Sequence, residues 1–312
     1  MHAVVYERHG GPEVLDYVEM PDPEPASGQV LVNVEVAGVN FRDVYEREGR
    51  DYVTKPPWIV GVEGAGTVAG TGRRVVWMGV QRSYAERVAA DPNVLVPIPD
   101  GVPSDVAAAI LLQGITAHYL AFESYPIQKG DWVIVHAAAG GVGLLLTQLA
   151  KLAGGRVIGT TSGQQKAQLA REAGADEVLG YEGFAERARE ITQGEGVAAV
   201  YDGIGKSTFQ EGLKALRPFG HMILYGSSSG WPEPLDLHLL LSNGSLYVQR
   251  PTVGTYTRTP QLLRDAAGKV FELVQQDKLH VRIGARYPLA QARQAQIDLA
   301  ARKTTGKILL EI

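Results

Sequence analysis

The sequence predicts an α/β protein in which a domain with a doubly wound parallel sheet is joined to a mostly antiparallel β domain. From Gly130 onward, short apolar runs alternate with amphipathic stretches, which is typical of a parallel sheet covered by helices on both faces. Before about residue 100, strand-like segments are separated by turn residues such as Gly10-Gly-Pro12. A chain of 312 residues is long enough for two ordinary domains.

The first part of the chain predicts strands at Val30–Val36 and Val75–Met78, followed by a helical zone. The segment Pro103-Ser-Asp105 is a helix start, and an alanine-rich apolar run continues it. We expect Gly114 to divide this zone into two helices, because glycine is a poor helix former.

The alternating part predicts a six-stranded parallel sheet. Glycines just past each predicted helix suit helix C-caps, and they are Gly154, Gly174, Gly194 and Gly220. The strands are predicted at Val133–His136, Arg156–Thr160, Glu177–Leu179, Val197–Tyr201, Met222–Tyr225 and Leu246–Gln249. The helices between the first five strands are predicted at 141–153, 164–173, 184–192 and 207–217.

A glycine-rich turn within Trp132–Lys151 carries the strongest functional signal. A strand, a tight turn and a helix N-terminus follow one another there, which is the arrangement that holds a diphosphate. Gly140 and Gly141 would let the backbone approach the phosphates, and Gly143 would let the helix pack close to the strand. Ala138 replaces the first glycine of the usual motif.

The last stretch predicts a helix at Pro260–Gln276, a strand at Val281–Tyr287, a helix at 288–302 and a closing strand at Lys307–Ile312. We expect the closing strand to return to the first domain. The predicted domains are therefore 1–113 with 257–312, and 114–256.

The composition of the chain excludes several classes of function. The chain is 45% hydrophobic and 21% charged, which is typical of a soluble globular protein. Its net charge of −4, without a block of Lys or Arg, argues against nucleic acid as a partner. We expect no apolar run to reach membrane-spanning length, because turn glycines interrupt the candidates. It has no cysteine, which excludes disulfides and thiolate metal sites and fits a cytoplasmic protein.

Several motifs closely resemble the quinone oxidoreductase (zeta-crystallin) branch of the medium-chain dehydrogenase/reductase superfamily. They extend almost from end to end of the chain. They are His9-Gly-Gly-Pro-Glu-Val-Leu15, Gly38-Val-Asn-Phe-Arg-Asp43, Gly61–Val68, Gly130–Lys151, Gln165-Lys-Ala167 and Ser245–Pro251. The resemblance implies a GroES-like catalytic domain beside the Rossmann domain. Compared with related chains, this sequence has a shortened loop before Arg73.

The resemblance bears on metal binding. Zinc members of the superfamily carry a cysteine near the position of Asn40 and a histidine at that of Val62, before Glu63. Valine cannot bind zinc, which needs several Cys, His or carboxylate ligands, so we expect a zinc-free protein. His136, beside the glycine turn, is interpreted as a packed, hydrogen-bonded residue, and Glu63 as a structural one.

The end of the second Rossmann strand predicts NADPH as the cofactor. Ile158–Gly163 lacks the acidic residue that would repel the extra phosphate of NADPH, while Ser162, Gly163 and Lys166 suit an anion. The resemblance adds Tyr181 to this phosphate site, and it places Thr116, Gly226, Ser227, Arg250 and Lys307 at other parts of the cofactor. The diphosphate would lie on Ala139, Gly140, Gly141, Val142 and Gly143.

For the acceptor, the resemblance suggests Asn40 and Tyr45, with Tyr52 nearby. Without a metal, a conjugated acceptor such as a quinone is favoured, because it spreads the arriving charge and needs hydrogen-bond donors for its oxygen. Asn40 and Tyr45 offer such donors. The alternatives are that Asn40 caps a turn and that Tyr45 packs as a half-buried aromatic.

Three functions remain open from the sequence. The first is an NADPH-dependent quinone reductase, and the second is an NADPH-dependent reductase of enones or enoyl thioesters. The third is an NADPH-binding structural or RNA-binding protein, against which the acidic balance counts. We also expect a homodimer, because the apolar strand at Leu246–Gln249 would form an exposed sheet edge.

Overall fold

The computed structural model describes residues 1–52 and 54–312, which divide into two compact units. The first unit comprises Met1–Gln113 and Thr257–Ile312, and the second comprises Gly114–Tyr256. The first unit is the GroES-like β domain and the second is the Rossmann domain. The sequence therefore predicts the fold class correctly.

The N-terminal segment contains short strands and two helices. They are β1 (His2–Tyr6), β2 (Asp16–Glu19), β3 (Val30–Val39), α1 (Phe41–Arg47), β4 (Trp58–Ile59), β5 (Glu63–Val68), β6 (Arg74–Met78), β7 (Arg87–Ala90), β8 (Val96–Pro97) and α2 (Ser104–Tyr119).

Helix α2 corrects two expectations. It continues through Gly114 without a break, and a π-helical turn at Leu120–Ser124 extends it. The segment Ser104–Ser124 is long and apolar enough to cross a membrane by length and composition, contrary to the expectation that every apolar run is too short. However, 67% of its apolar window is buried inside the protein, as in the core helices of globular proteins.

The middle of the chain alternates strands with helices, as predicted. The elements are β9 (Trp132–Val135), α3 (Gly141–Leu152), β10 (Arg156–Thr160), α4 (Gln164–Glu172), β11 (Glu177–Leu179), α5 (Phe184–Ile191), β12 (Val197–Asp202), α6 (Phe209–Ala215), β13 (Leu216–Leu224), α7 (His238–Ser242), β14 (Tyr247–Gln249) and α8 (Val253–Tyr256).

These strands form one parallel six-stranded sheet in the order β11-β10-β9-β12-β13-β14. The order reverses at β9, so the carboxyl ends of β9 and β12 border the crevice where such sheets bind ligands. Gly154, Gly174 and Gly194 adopt positive φ angles just past their helices, as expected of C-caps. Gly220 does not, because β13 starts at Leu216 and includes it; the left-handed residue there is Phe219, with φ 61°.

The C-terminal segment contains α9 (Pro260–Gln275), β15 (Ile283–Pro288), α10 (Ala292–Ala300) and β16 (Lys307–Glu311). Strand β16 pairs antiparallel with β3, with Ile308 opposite Val39, so the end of the chain returns to the first unit as predicted. It belongs to a sheet in the order β15-β16-β3-β5-β6-β8, with β7 also paired to β3. This pairing places Lys307 close to the residue that follows β3, Asn40.

We predict opposite effects for two glycine-to-alanine substitutions in the first unit. Gly66→Ala would place a Cβ against the carbonyl group of Asn33 on β3, whose carbon would lie 2.9 Å away. It should lower the free energy of unfolding by roughly 2 kcal/mol or more, since backbone must move. Gly268→Ala, in open space on α9, should raise it by about 0.5–1 kcal/mol. Urea unfolding measures both, and equal effects would contradict the β3–β5 register.

Candidate functional site

The glycine-rich turn joins β9 to α3 at the carboxyl edge of the parallel sheet. Gly140 is the N-cap of α3 and has extended backbone, and its N–H donates to the carbonyl of Ala137 at 2.8 Å. Ala137 takes the left-handed conformation, with φ 50°. Because the strained position is Ala137, the buried Ala138 fills the place of the motif's first glycine without requiring a positive φ.

Gly143 is required by close packing, as the sequence predicts. A Cβ there would lie 2.8 Å from the Cα of Ala138 and would also meet the carbonyl oxygen of Ala137. The first turn of α3 has no acidic residue, and first-turn N–H groups have no intrahelical acceptor. This end of the helix is therefore suited to an anion, and the turn fits a cofactor diphosphate.

A second cluster follows β10. Ser162 is exposed, and Gly163, with φ 101°, is the N-cap of α4, whose first turn carries the half-buried Lys166. The hydroxyl of Tyr181 lies 3.5 Å from the carbonyl oxygen of Thr160, the last residue of β10. The loop thus combines a hydroxyl, a helix N-terminus and a cation, which suits a phosphate.

A third group of predicted residues lies around Tyr119. Tyr119 itself was not predicted from the sequence. Burial raises the pKa of the Tyr119 phenol, against the opposing effects of a hydrogen bond with Thr116 and of the nearby Arg250 guanidinium. The Tyr119 ring stacks on that of Tyr256, with centroids 4.0 Å apart. The available signal was helical spacing, because Tyr119 lies three residues after Thr116 on α2.

Gly226 and Ser227 follow β13 at the same carboxyl edge. A Cβ on Gly226 would lie 2.7 Å from the carbonyl oxygen of Gly203, so a glycine is needed where these two strand ends approach. Ser227 is buried. The Arg250 guanidinium carbon lies 5.1 Å from the centre of the Trp231 ring, a cation–π contact that orients this arginine.

In the first unit, Asn40 lies in a buried polar cluster. Its side-chain oxygen accepts from Gln113 Nε2 at 2.6 Å and from Lys307 Nζ at 3.0 Å. Its side-chain nitrogen donates to Glu63 Oε2 at 2.8 Å and to the Gly38 carbonyl at 3.3 Å. An amide has two donor hydrogens and two acceptor lone pairs, so Asn40 is fully engaged within the protein.

Lys307 and Glu63 form the ionic centre of this cluster. The Lys307 Nζ lies 2.5 Å from Glu63 Oε2, and both side chains are almost completely buried. Glu63 Oε1 also accepts the backbone N–H of Leu112 at 3.3 Å, in line with its predicted structural role. Neither the pairing of Lys307 with Glu63 nor the role of Gln113 was found from the sequence, because no local pattern links residues so far apart.

The two candidate phenols lie beside arginines. The Tyr45 side chain is largely buried in α1, and the guanidinium carbon of Arg50 lies 4.8 Å from its ring centre. Tyr52 is partly exposed, and the guanidinium carbon of Arg42 lies 4.4 Å from its ring centre. The Arg42 side chain therefore packs on an aromatic ring. Both phenols have a cation beside them.

Asp43 lies in the first turn of α1 and closes the start of this helix. Its Oδ2 accepts the backbone N–H of Asn40 at 2.8 Å and the hydroxyl of Tyr84 at 2.7 Å. Its Oδ1 is buried without a hydrogen-bond partner. Burial raises the pKa of Asp43 to about 7, against the opposing effects of these hydrogen bonds and of Arg42.

The side chains at the superfamily's zinc position do not fit zinc. Val62 has no ligand atom, Asn40 is saturated, and Glu63 is bound by Lys307. Among residues 1–52 and 54–312, no group of three His, Cys, Asp or Glu side chains lies close enough to hold a metal. The cation beside Glu63 is the lysine itself.

Comparison with known families agrees with this two-part arrangement. A family model described as alcohol dehydrogenase GroES-like domain matches residues 26–100, and one described as zinc-binding dehydrogenase matches residues 141–268. The second description names a metal for which the described part of the chain offers no group of ligands.

The chain is similar over nearly its whole length to characterised proteins. It is 38% identical to a quinone oxidoreductase of Pseudomonas aeruginosa and 34% identical to a 2-haloacrylate reductase of a Burkholderia species, with at least 98% of each chain covered. Among solved structures, a mycobacterial protein complexed with NADPH has a TM-score of 0.96 at 43% identity. The quinone oxidoreductase of Escherichia coli complexed with NADPH has a TM-score of 0.97 at 35% identity. In both comparisons, the match covers 100% of this chain and 100% of the chain in the solved structure.

We predict that Asp43 makes stability fall as pH rises. The folded carboxyl keeps its proton up to about pH 7, whereas an ordinary Asp loses it near 3.8, so its contribution is complete below the unfolded pKa and is lost as pH rises through the folded pKa. The free energy of unfolding should fall by roughly 4 kcal/mol from this group between about pH 4 and about pH 8.

Asp43→Asn should flatten this dependence, measured as urea unfolding across that pH range. Asp265→Asn, on the exposed face of α9, is the matched control and should leave the slope unchanged. An unaltered slope in Asp43→Asn would show that the carboxyl is ionised in the folded protein.

Proposed function

We propose that this chain, which belongs to the quinone oxidoreductase branch of the medium-chain dehydrogenase/reductase superfamily, is an enzyme that reduces quinones with NADPH. The observation that carries the proposal is the pair of anion-suited sites in the second unit. One is the α3 N-terminus at the glycine turn, and the other is the Ser162–Lys166 loop, which lacks a carboxylate. The names of the similar proteins support the same cofactor and acceptor.

The second unit would hold NADPH through three groups of residues. The amides of Ala139–Gly143 would hold the diphosphate. Ser162, Gly163, Lys166 and Tyr181 would hold the 2′-phosphate of the adenosine ribose. Thr116, Gly226, Ser227 and Arg250 would lie near the nicotinamide or its phosphates. When bound, NADPH supplies a hydride. The residues' task is to fix its position and to keep the adenosine phosphate paired with a cation.

In the first unit, the phenols of Tyr45 and Tyr52 are our candidates for contact with the acceptor oxygen. A phenol can donate a hydrogen bond to an oxygen that becomes negative as the hydride arrives. Asn40, originally a candidate for the same contact, has its donors committed to Glu63 and Gly38. We therefore assign Asn40 the task of holding Lys307 in place.

Reduction of an activated alkene is the second candidate function. The 34% identity to a 2-haloacrylate reductase favours it, because that name describes a protein acting on a conjugated C=C bond. The two functions differ in product: a hydroquinone supports quinone reduction, and a saturated carboxylate or ketone supports alkene reduction. Chromatography of the products from each class of acceptor separates them.

We expect purified protein to oxidise NADPH in the presence of ortho- or para-quinones and to prefer NADPH over NADH. Lys166→Ala should raise the Kd for NADPH roughly twofold to fivefold, the effect of losing one partly exposed charge contact, and should leave NADH binding unchanged. Lys214→Ala, an exposed lysine on α6, is the control and should change neither. Absence of quinone-dependent NADPH oxidation would contradict the proposed function.

The proposal includes a cytoplasmic homodimer. Strand β14 ends the six-stranded sheet, and Tyr247 and Val248 on it are exposed, as is Phe219 on the adjacent strand β13. A sheet edge with apolar side chains is a typical surface for pairing with a second copy.

Val248→Lys should therefore shift the mass in light scattering from dimer toward monomer, because a buried charge would oppose edge pairing. Leu152→Lys replaces an exposed leucine at the end of α3 and should leave the mass unchanged. A wild-type monomer would contradict the expected dimer without bearing on the reductase activity.

A further inference from the structure

Thr160, the last residue of β10, connects three segments that the proposed function assigns to NADPH. Its carbonyl oxygen accepts the backbone N–H of Ala138, in the diphosphate turn, at 3.1 Å. The same oxygen lies 3.5 Å from the hydroxyl of Tyr181. Its chain continues directly into Thr161, Ser162 and Gly163, so the direction of the phosphate loop is set at this residue.

The side chain of Thr160 is held by a fully buried histidine. His136 Nδ1 lies 2.7 Å from Thr160 Oγ1, and the imidazole packs edge-on against Phe184, with centroids 4.7 Å apart. Nε2 has no hydrogen-bond partner, so the polar bond of this ring is directed at Thr160. Burial lowers the pKa of His136 and so favours the neutral ring, against the opposing effect of the Asp202 carboxylate.

We propose that His136 and Thr160 are positioning residues that fix the phosphate loop and thereby contribute to the preference for NADPH over NADH. This inference rests on the proposed function. A threonine held at both its hydroxyl and its carbonyl has little freedom, so Ser162 and Gly163 are ordered before the cofactor arrives. Ordering a loop in advance lowers the entropic cost of binding. NADH lacks the 2′-phosphate on its adenosine ribose, so its binding depends less on the order of this loop.

Thr160→Val tests the inference, because it keeps the branched shape and removes the hydroxyl. Titration calorimetry should show the Kd for NADPH raised about fivefold to tenfold, the scale of one hydrogen bond, while the Kd for NADH changes less than about twofold. His136→Leu should reproduce this change. His136→Asn, whose amide can still reach Thr160, should restore part of the preference.

Thr147→Val is the matched control. Thr147 lies on α3 and is fully buried, and its hydroxyl has no hydrogen-bond partner, so the same chemical change there should leave both Kd values unaltered. If His136→Leu fails to fold, Thr160→Val decides the question alone.

The outcomes separate the two proposals. A wild-type protein that does not prefer NADPH overturns the proposed function and this inference with it. A wild-type preference that persists in Thr160→Val overturns only the inference. Equal weakening of NADPH and NADH binding also overturns it, because that result indicates a general structural role for the pair.

Discussion

The first unit depends on the buried ion pair between Lys307 and Glu63. Two charges buried together are tolerated because they neutralise each other, and removing either partner leaves a buried charge that typically costs about 3–5 kcal/mol. The pair also restricts its neighbours: a Cβ on Gly38 would lie 2.8 Å from Lys307 Nζ and would also meet Glu63. Since Lys307 starts the last strand, the first unit cannot complete its polar core until the end of the chain has returned to β3.

The same pair explains how this site differs from a zinc site. A metal cation would need open ligands, but Glu63 is already neutralised by an ammonium and the Asn40 amide is filled on both sides. The cluster therefore has little capacity to donate to a substrate, which leaves that task to side chains outside it. Tyr45 and Tyr52 meet this requirement, since each has a hydroxyl and an adjacent guanidinium.

Local signals in the sequence were sufficient for most of the fold, because alternating strands and helices and their C-cap glycines are determined by near neighbours. They failed where burial outweighed them. Glycine within a helix costs only about 1 kcal/mol, which the buried apolar face of α2 offsets, so Gly114 does not end it. Gly220 was misassigned because β13 begins directly after α6. The pairing of Lys307 with Glu63 left no local pattern, since 244 positions separate them.

Preference for NADPH in such a site has to be the sum of several small effects. Lys166 is half-exposed, so water and salt screen its charge, and a single contact of this kind contributes about 1 kcal/mol or less. The missing carboxylate removes a repulsion but supplies no attraction. In the proposed site, hydrogen bonds from Ser162, Gly163 and Tyr181 would add to the total only if all of them reached one phosphate at the same time. The contribution of these hydrogen bonds to NADPH binding therefore depends on how firmly Thr160 fixes the start of the loop. For this reason, a buried contact that does not touch the ligand can influence the choice between NADPH and NADH.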